Sequence, residues 1–332
     1  MRGKWREPRP RHPPGAPVRA TQDSLTDVPG LAVGHAEVPG GGSGCTVVLG
    51  PMRARADLRG LATGARELGT VREGHVTTRV DALLLSGGSA FGLAAADGVL
   101  RWLEERRRGH ETSVTEVPIV PGAVLFDLAS GRARPGPDEG RRACEAATSD
   151  PVRQGRVGAG AGATVGKLLG PEHAIPAGVG SSSARVARWT VGALAVTNAL
   201  GDVVDRDGRV VGVGGSRGER EEGTRALLEA ARKPGFGAGS ELRAGEHTTL
   251  AVVATDAPLT GGDLVRMARV ASTGVARRIS PVHTPFDGDI LFAVSTAKEG
   301  SPLSTRYALA LGVTGREALE TAILRSVDPR ER

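Results

Sequence analysis

Between Gly245 and Pro258 a polar linker gives way to the apolar, β-branched run Leu250-Ala251-Val252-Val253-Ala254, with Thr248 and Thr249 at the junction. A run of this composition reads as a strand. Similar runs occur at residues 46–49, 80–85, 123–126, 191–196 and 290–294. They are interspersed with helical periodicity over residues 90–108, 220–232, 263–279 and 316–324. Strands and helices in this pattern predict a layered α/β fold. In the first helix Phe91, Ala94, Ala95, Val99, Trp102 and Leu103 share one face, and Ser86-Gly87-Gly88-Ser89 marks the turn that leads into it.

The junction also constrains chemistry. If the His247–Thr248 bond breaks, Thr248 carries both a hydroxyl nucleophile and a free α-amine able to serve as its base. Lys233-Pro234-Gly235-Phe236-Gly237-Ala238-Gly239-Ser240 leads into this point, and such Gly-rich chain lets newly cut ends separate. The other long connection, residues 130–151, is polar, contains Pro135 and Pro137, and reads as a surface excursion.

Composition narrows the class. Nine aromatic residues among 332, against 49 glycines and 39% hydrophobic content, describe a packed protein whose contacts are dominated by small side chains. Much of the +6 net charge sits in residues 1–22, where Arg2, Lys4, Arg6, Arg9, Arg11 and Arg19 face only Glu7. Residues 1–23 therefore read as a disordered basic tail, and residues 24–332 as a single domain close to neutral. Without a basic stripe or interleaved aromatics, no nucleic-acid partner is expected. No stretch of 18 apolar residues and no signal-peptide core is present, so the expectation is a cytoplasmic protein with no membrane partner. Cys45 and Cys144 lack metal or redox spacing and read as reduced structural thiols.

Two further segments carry site-like motifs. The run from Val157 to Lys167 superficially suggests a phosphate loop, but Ala161 and Leu168 stand where glycine and Ser or Thr are required. Close backbone packing near an active site explains its glycines better. His283 and Asp287-Gly288-Asp289 have H-x3-D-x-D spacing, and carboxylates two apart on extended chain face the same way. The remaining histidines are scattered, so a polar role without metal is preferred to ligation, and surface-turn acids remain the alternative.

Several ordered segments resemble one family. They are Leu25 to His35, Leu83 to Leu93, Gly158 to Lys167, Val196 to Val203, Thr248 to Pro258 and His283 to Asp289. Together they are similar to the P1 peptidases, which comprise the L-aminopeptidase/D-esterase (DmpA-like) enzymes, the β-aminopeptidases and the nylon-oligomer hydrolases. The resemblance runs from about residue 24 to 325. It implies a four-layer αββα sandwich of the DmpA/ornithine acetyltransferase type, self-cleaved into residues 1–247 and 248–332. It further implies a tetramer of αβ units, no cofactor, and hydrolysis of small peptides, amino-acid amides or ω-amino acid oligomers.

The same resemblance makes Thr248 the nucleophile and matches Asp287 and Asp289 to the acidic pair of the nylon-oligomer type. It makes Asn198 an oxyanion donor and Lys167 a further site residue, with an exposed lysine ending a glycine loop as the alternative for Lys167. The backbone of Ser86, Gly87, Gly88 and Ser89 is a candidate for additional donors beside substrate, although a tight turn explains the same glycines. Two positions depart from the pattern: His247 stands where nylon-oligomer enzymes have Asn, and Phe126 stands in the place of an active-site Tyr. An acyl transferase of the same fold, or an unprocessed binding protein, are the competing readings.

Overall fold

The computed structural model describes residues 22–331 apart from 78, 129, 130, 132, 213, 214, 221 and 234–244. The expectations for the basic tail before residue 22, and for the Gly-rich approach after Lys233, lie outside the described residues.

Nine strands among the described residues form one hydrogen-bonded sheet. They are β1 (Ala32–Glu37), β2 (Gly44–Leu58), β3 (Gly64–Arg66), β4 (Arg79–Ser86), β5 (Gly122–Val124), β6 (Val179–Val186), β7 (Trp189–Asn198), β8 (Thr248–Thr255) and β9 (Ile290–Ser295). Their order is β6-β7-β8-β9-β2-β4-β5-β3, with β1 also on β2. The pairs β8/β9 and β4/β5 are parallel and the others antiparallel. The long strand β2 joins two halves. Its first part, residues 44–49, pairs with β1 and β4, and residues 53–58 pair with β9.

Side-chain alternation sorts these strands into three cores. On one face of β7, β8 and β9, Ala193, Ala195, Ala251, Val253, Leu291 and Ala293 pack with residues of α4 (Gly261–Arg278) and α5 (Thr305–Val327). Their opposite face, through Leu194, Leu250, Val252 and Phe292, meets Val48, Leu83 and Leu85 of the other half-sheet. The far face of that half, with Cys45, Val47, Ala82 and Leu84, is covered by α1 (Ala95–Glu104) and α2 (Pro137–Glu145). Helices, half-sheet, half-sheet, helices: the chain is the expected αββα sandwich, with β2 running through both inner layers. A further helix, α3 (Glu222–Ala231), accounts for the predicted helix at 220–232.

Several expectations need correction. The excursion at 130–151 contains α2, which begins at Pro137, a residue tolerated in a first helical turn. The predicted helix at 90–108 is a 3-10 segment, Ser89–Ala94, followed by α1. Phe91 is consequently 56% exposed, under the Arg134 guanidinium, and takes no place on the buried face. Helix α5 starts at Thr305, ahead of the 316–324 span its periodicity predicts, because its first two turns are largely exposed. Strands β1 and β6 were not anticipated, since close contact with helices requires small residues there: a Cβ on Gly34 would lie 1.9 Å from Ala143 O, and one on Gly180 1.9 Å from Ala322 O. Among the described residues no helix is long and apolar enough to cross a membrane.

The α1/α2 contact is equally tight, with a Cβ on Gly98 falling 1.8 Å from Pro137 O. Gly98→Ala is expected to destabilise the fold by about 1–3 kcal/mol, as overpacking does. Urea unfolding of the two proteins measures this; equal midpoints would show that the helix pair yields freely.

Candidate active site

Three adjacent strands bring the polar residues together. Antiparallel pairing sets Asn198, the last residue of β7, opposite Thr248, the first of β8. Parallel pairing of β8 with β9 places the segment before β9 beside the residues before β8, and His247 bridges Asp287. The backbone at 287–289 is held from its other side by Ala62 N–H on Asp287 O (2.9 Å) and Arg59 N–H on Asp289 O (3.0 Å).

In the intact chain Thr248 is buried, and its hydroxyl donates to the carbonyl oxygen of His247 at 2.6 Å. The same oxygen accepts the Gly288 N–H at 2.8 Å. A side chain at 288 is excluded, since its Cβ would lie 2.8 Å from Thr248 Oγ1 and 2.7 Å from Ala62 O. The two aspartates flank this contact without accepting from the hydroxyl. Asp289 Oδ1 takes the Thr249 N–H at 2.6 Å, and its Oδ2 pairs with His283 Nδ1 at 2.9 Å. Asp287 Oδ2 accepts from Thr284 N and Oγ1 at 2.9 and 2.6 Å. Burial first, and Asp289 second, raise the Asp287 carboxyl above the usual carboxylate range.

Asn198 is also buried and fully engaged. Its Nδ2 donates to Phe126 O (2.9 Å) and Glu246 O (3.3 Å), while its Oδ1 accepts from Thr164 N and from Lys167 Nζ, each at 3.1 Å. Lys167 Nζ also reaches Asn198 O at 3.2 Å. Burial pushes the Lys167 amine down to about 7, against the opposing pull of Asp287 and Glu246. Burial, then Lys167, pushes His247 down to about 4, so this imidazole is neutral at neutral pH, and its Nδ1 has no hydrogen-bond partner among the described residues.

Of the two readings of the Ser86–Ser89 segment, the structure fits the tight turn. The N–H groups of Gly87, Gly88 and Ser89 donate to Gly44 O, Asp127 Oδ1 and Leu125 O, at 2.8, 2.7 and 2.9 Å. Those amides are occupied within the protein and are not free for an oxyanion. They lock residues 125–127 in place, and Phe126 thereby contributes its carbonyl, rather than a side-chain hydroxyl, to orienting Asn198. The Gly158 to Lys167 run makes close contacts: a Cβ on Gly160 would lie 2.6 Å from Val179 N and one on Gly162 2.1 Å from Gly42 O. Gly288 and Asp127 were missed in the sequence. Gly288 was visible only as a spacer between two acids, and Asp127 carries no local signal of its long-range bond to Gly88. Among the described residues no group of three or more His, Cys, Asp or Glu is placed to hold a metal ion.

The αββα sandwich thus brings a hydroxyl, an amide, an amine and two carboxylates together at the ends of its central strands. Residues 23–329 match the sequence signature of peptidase family S58, and the chain belongs to that family. It is 41% identical to an uncharacterized aminopeptidase of Mycobacterium tuberculosis, over 92% of this chain and 93% of the relative. It is 32% identical to the 6-aminohexanoate-oligomer endohydrolase of Paenarthrobacter ureafaciens, over 93% and 86%. Among solved structures, a Burkholderia sp. β-aminopeptidase superposes with a TM-score of 0.68 at 22% identity, covering 94% of this chain and 88% of that one. The L-aminopeptidase D-Ala-esterase/amidase of Ochrobactrum anthropi gives 0.65 at 21%, covering 94% and 89%. The two structures share the fold, and the family makes this chain an amide-bond hydrolase.

The Lys167 shift has a consequence for stability. Between pH 7 and the usual lysine value of about 10.4 the unfolded chain binds more protons than the folded one, so stability rises with pH across that window. Lys167→Met is expected to flatten this rise. Denaturant titrations at pH 7 and 10 measure it; an unchanged slope would show that the amine is not held neutral.

Proposed function

We propose that this hydrolase cuts itself between His247 and Thr248, and that Thr248, then an N-terminus, attacks amide bonds of small peptides, amino-acid amides or ω-amino acid oligomers. The observation that carries the reading is the Thr248 hydroxyl 2.6 Å from the oxygen of the carbonyl it would attack, with Gly288 N–H on that same oxygen.

Attack of Thr248 Oγ1 on the His247 carbonyl carbon forms a C–O bond, and negative charge develops on an oxygen that Gly288 N–H already holds. Collapse breaks the C–N bond, and the hydroxyl proton ends on the Thr248 nitrogen. Water then hydrolyses the ester, giving a carboxylate on His247 and restoring the hydroxyl. The new α-amine, with a reference pKa of about 7.7–8.0, is partly neutral near neutral pH and takes the hydroxyl proton when a substrate carbonyl is attacked. Asp287 and Asp289 orient the amine and the hydroxyl, since an ionised carboxylate alone would raise the ammonium pKa. Departure of Glu246 frees one Asn198 N–H, and Asn198 with Lys167 then faces the substrate oxyanion. Relatives named as an aminopeptidase and as a 6-aminohexanoate-oligomer endohydrolase support amides of this size range.

Wild-type protein and Thr248→Ser are expected to run as two chains on a denaturing gel, and Thr248→Ala as one. Thr248→Ala is expected to lose about 10⁴–10⁶-fold in amidase turnover, as nucleophile removal does. Retention of activity by uncut Thr248→Ala would refute the assignment.

A further inference from the structure

Before processing, residues 245–247 lie against residues 286–288, with Gly245 in the left-handed region at φ 85° and one bridge at His247. His247 bridges Asp287 in the parallel sense, His247 O accepts the Gly288 N–H at 2.8 Å, and the Gly245 N–H donates to Phe286 O at 3.3 Å. Between them Glu246 O accepts the Asn198 side-chain amide at 3.3 Å. The His247 side chain is 5% exposed. Main-chain groups of three consecutive residues are thus held by fixed partners.

The chemistry makes this arrangement informative about substrate. The ester formed in self-cleavage joins the His247 acyl carbon to Thr248 Oγ1. The acyl-enzyme formed in turnover joins a substrate acyl carbon to the same oxygen. What holds residues 245–247 in the first is positioned to hold the acyl half of a substrate in the second. We infer that the mature enzyme binds the acyl half of its substrate along residues 286–288, in the groove that residues 245–247 fill beforehand. The scissile carbonyl then meets Gly288 N–H, with the freed Asn198 N–H left to the oxyanion, and the N–H two residues before the cleaved bond meets Phe286 O. A groove that contacts groups two residues before the cleaved bond favours internal amide bonds over single residues with a free amine. The inference rests on the Thr248 reading.

The test uses the purified two-chain enzyme, its small chain shown by mass to begin at Thr248. Three p-nitroanilides are compared: alanine, acetyl-Gly-Gly-Ala, and the latter with an ester oxygen replacing the first glycine N–H. The blocked tripeptide is expected to show a kcat/KM at least about tenfold above alanine p-nitroanilide. The ester replacement is expected to lower it about 3–10-fold, the effect of one lost hydrogen bond. A two-chain enzyme that prefers the free alanine derivative, or is indifferent to the ester, would overturn the groove assignment while leaving Thr248 as nucleophile. A chain that never divides would overturn the Thr248 reading and the groove with it.

Discussion

The structure depends on the register of three strands. Strand β8 is buried at every position from Thr248 to Thr255, with Leu250, Val252 and Ala254 facing the inter-sheet core and Ala251 and Val253 facing the helices. A slip of one residue would exchange those faces, forcing larger side chains against α4 and α5 and smaller ones into the space around Phe292. Two cores therefore fix the pairing of β8 with both neighbours. That pairing, in turn, fixes Thr248 opposite Asn198 and beside the Asp287–Asp289 segment. The same burial that sets the register removes water from the strand ends, lowering the Lys167 and His247 pKa values and raising that of Asp287.

Much of this was legible in the sequence, for identifiable reasons. The central strands announce themselves because burial on both faces demands unbroken apolar runs, and Thr248, Asn198 and the aspartates stand where such runs meet polar chain. Strands β1 and β6 were silent because glycine and serine, needed for close contact with helices, erase the apolar signal. Helix α2 hid behind two prolines, one of which in fact begins it. The Ser86–Ser89 turn was correctly seen as a turn, but its amides are directed inward to residues that stand far away in sequence. Gly288 was overlooked for a related reason: its contribution is a backbone N–H, which every residue but proline possesses.

Geometry and family membership meet at one oxygen. Family S58 makes the chain an amide hydrolase. The contact between Thr248 Oγ1 and the carbonyl before it supports that oxygen as the group that first opens the chain and then carries each acyl group. On this account the peptide ahead of Thr248 is the enzyme's first substrate, and its seat along residues 286–288 describes the acyl side of the mature site. His247, which departs from the residue of the nylon-oligomer enzymes, fits this seat as a buried neutral ring beside Lys167.

The most direct measurement is mass spectrometry of the enzyme acid-quenched during turnover of a slowly deacylating ester. The account predicts two chains, with the acyl mass on the 85-residue fragment 248–332, localised to Thr248 and removed by hydroxylamine. An acyl group on any other residue, or turnover by a single undivided chain, would contradict it.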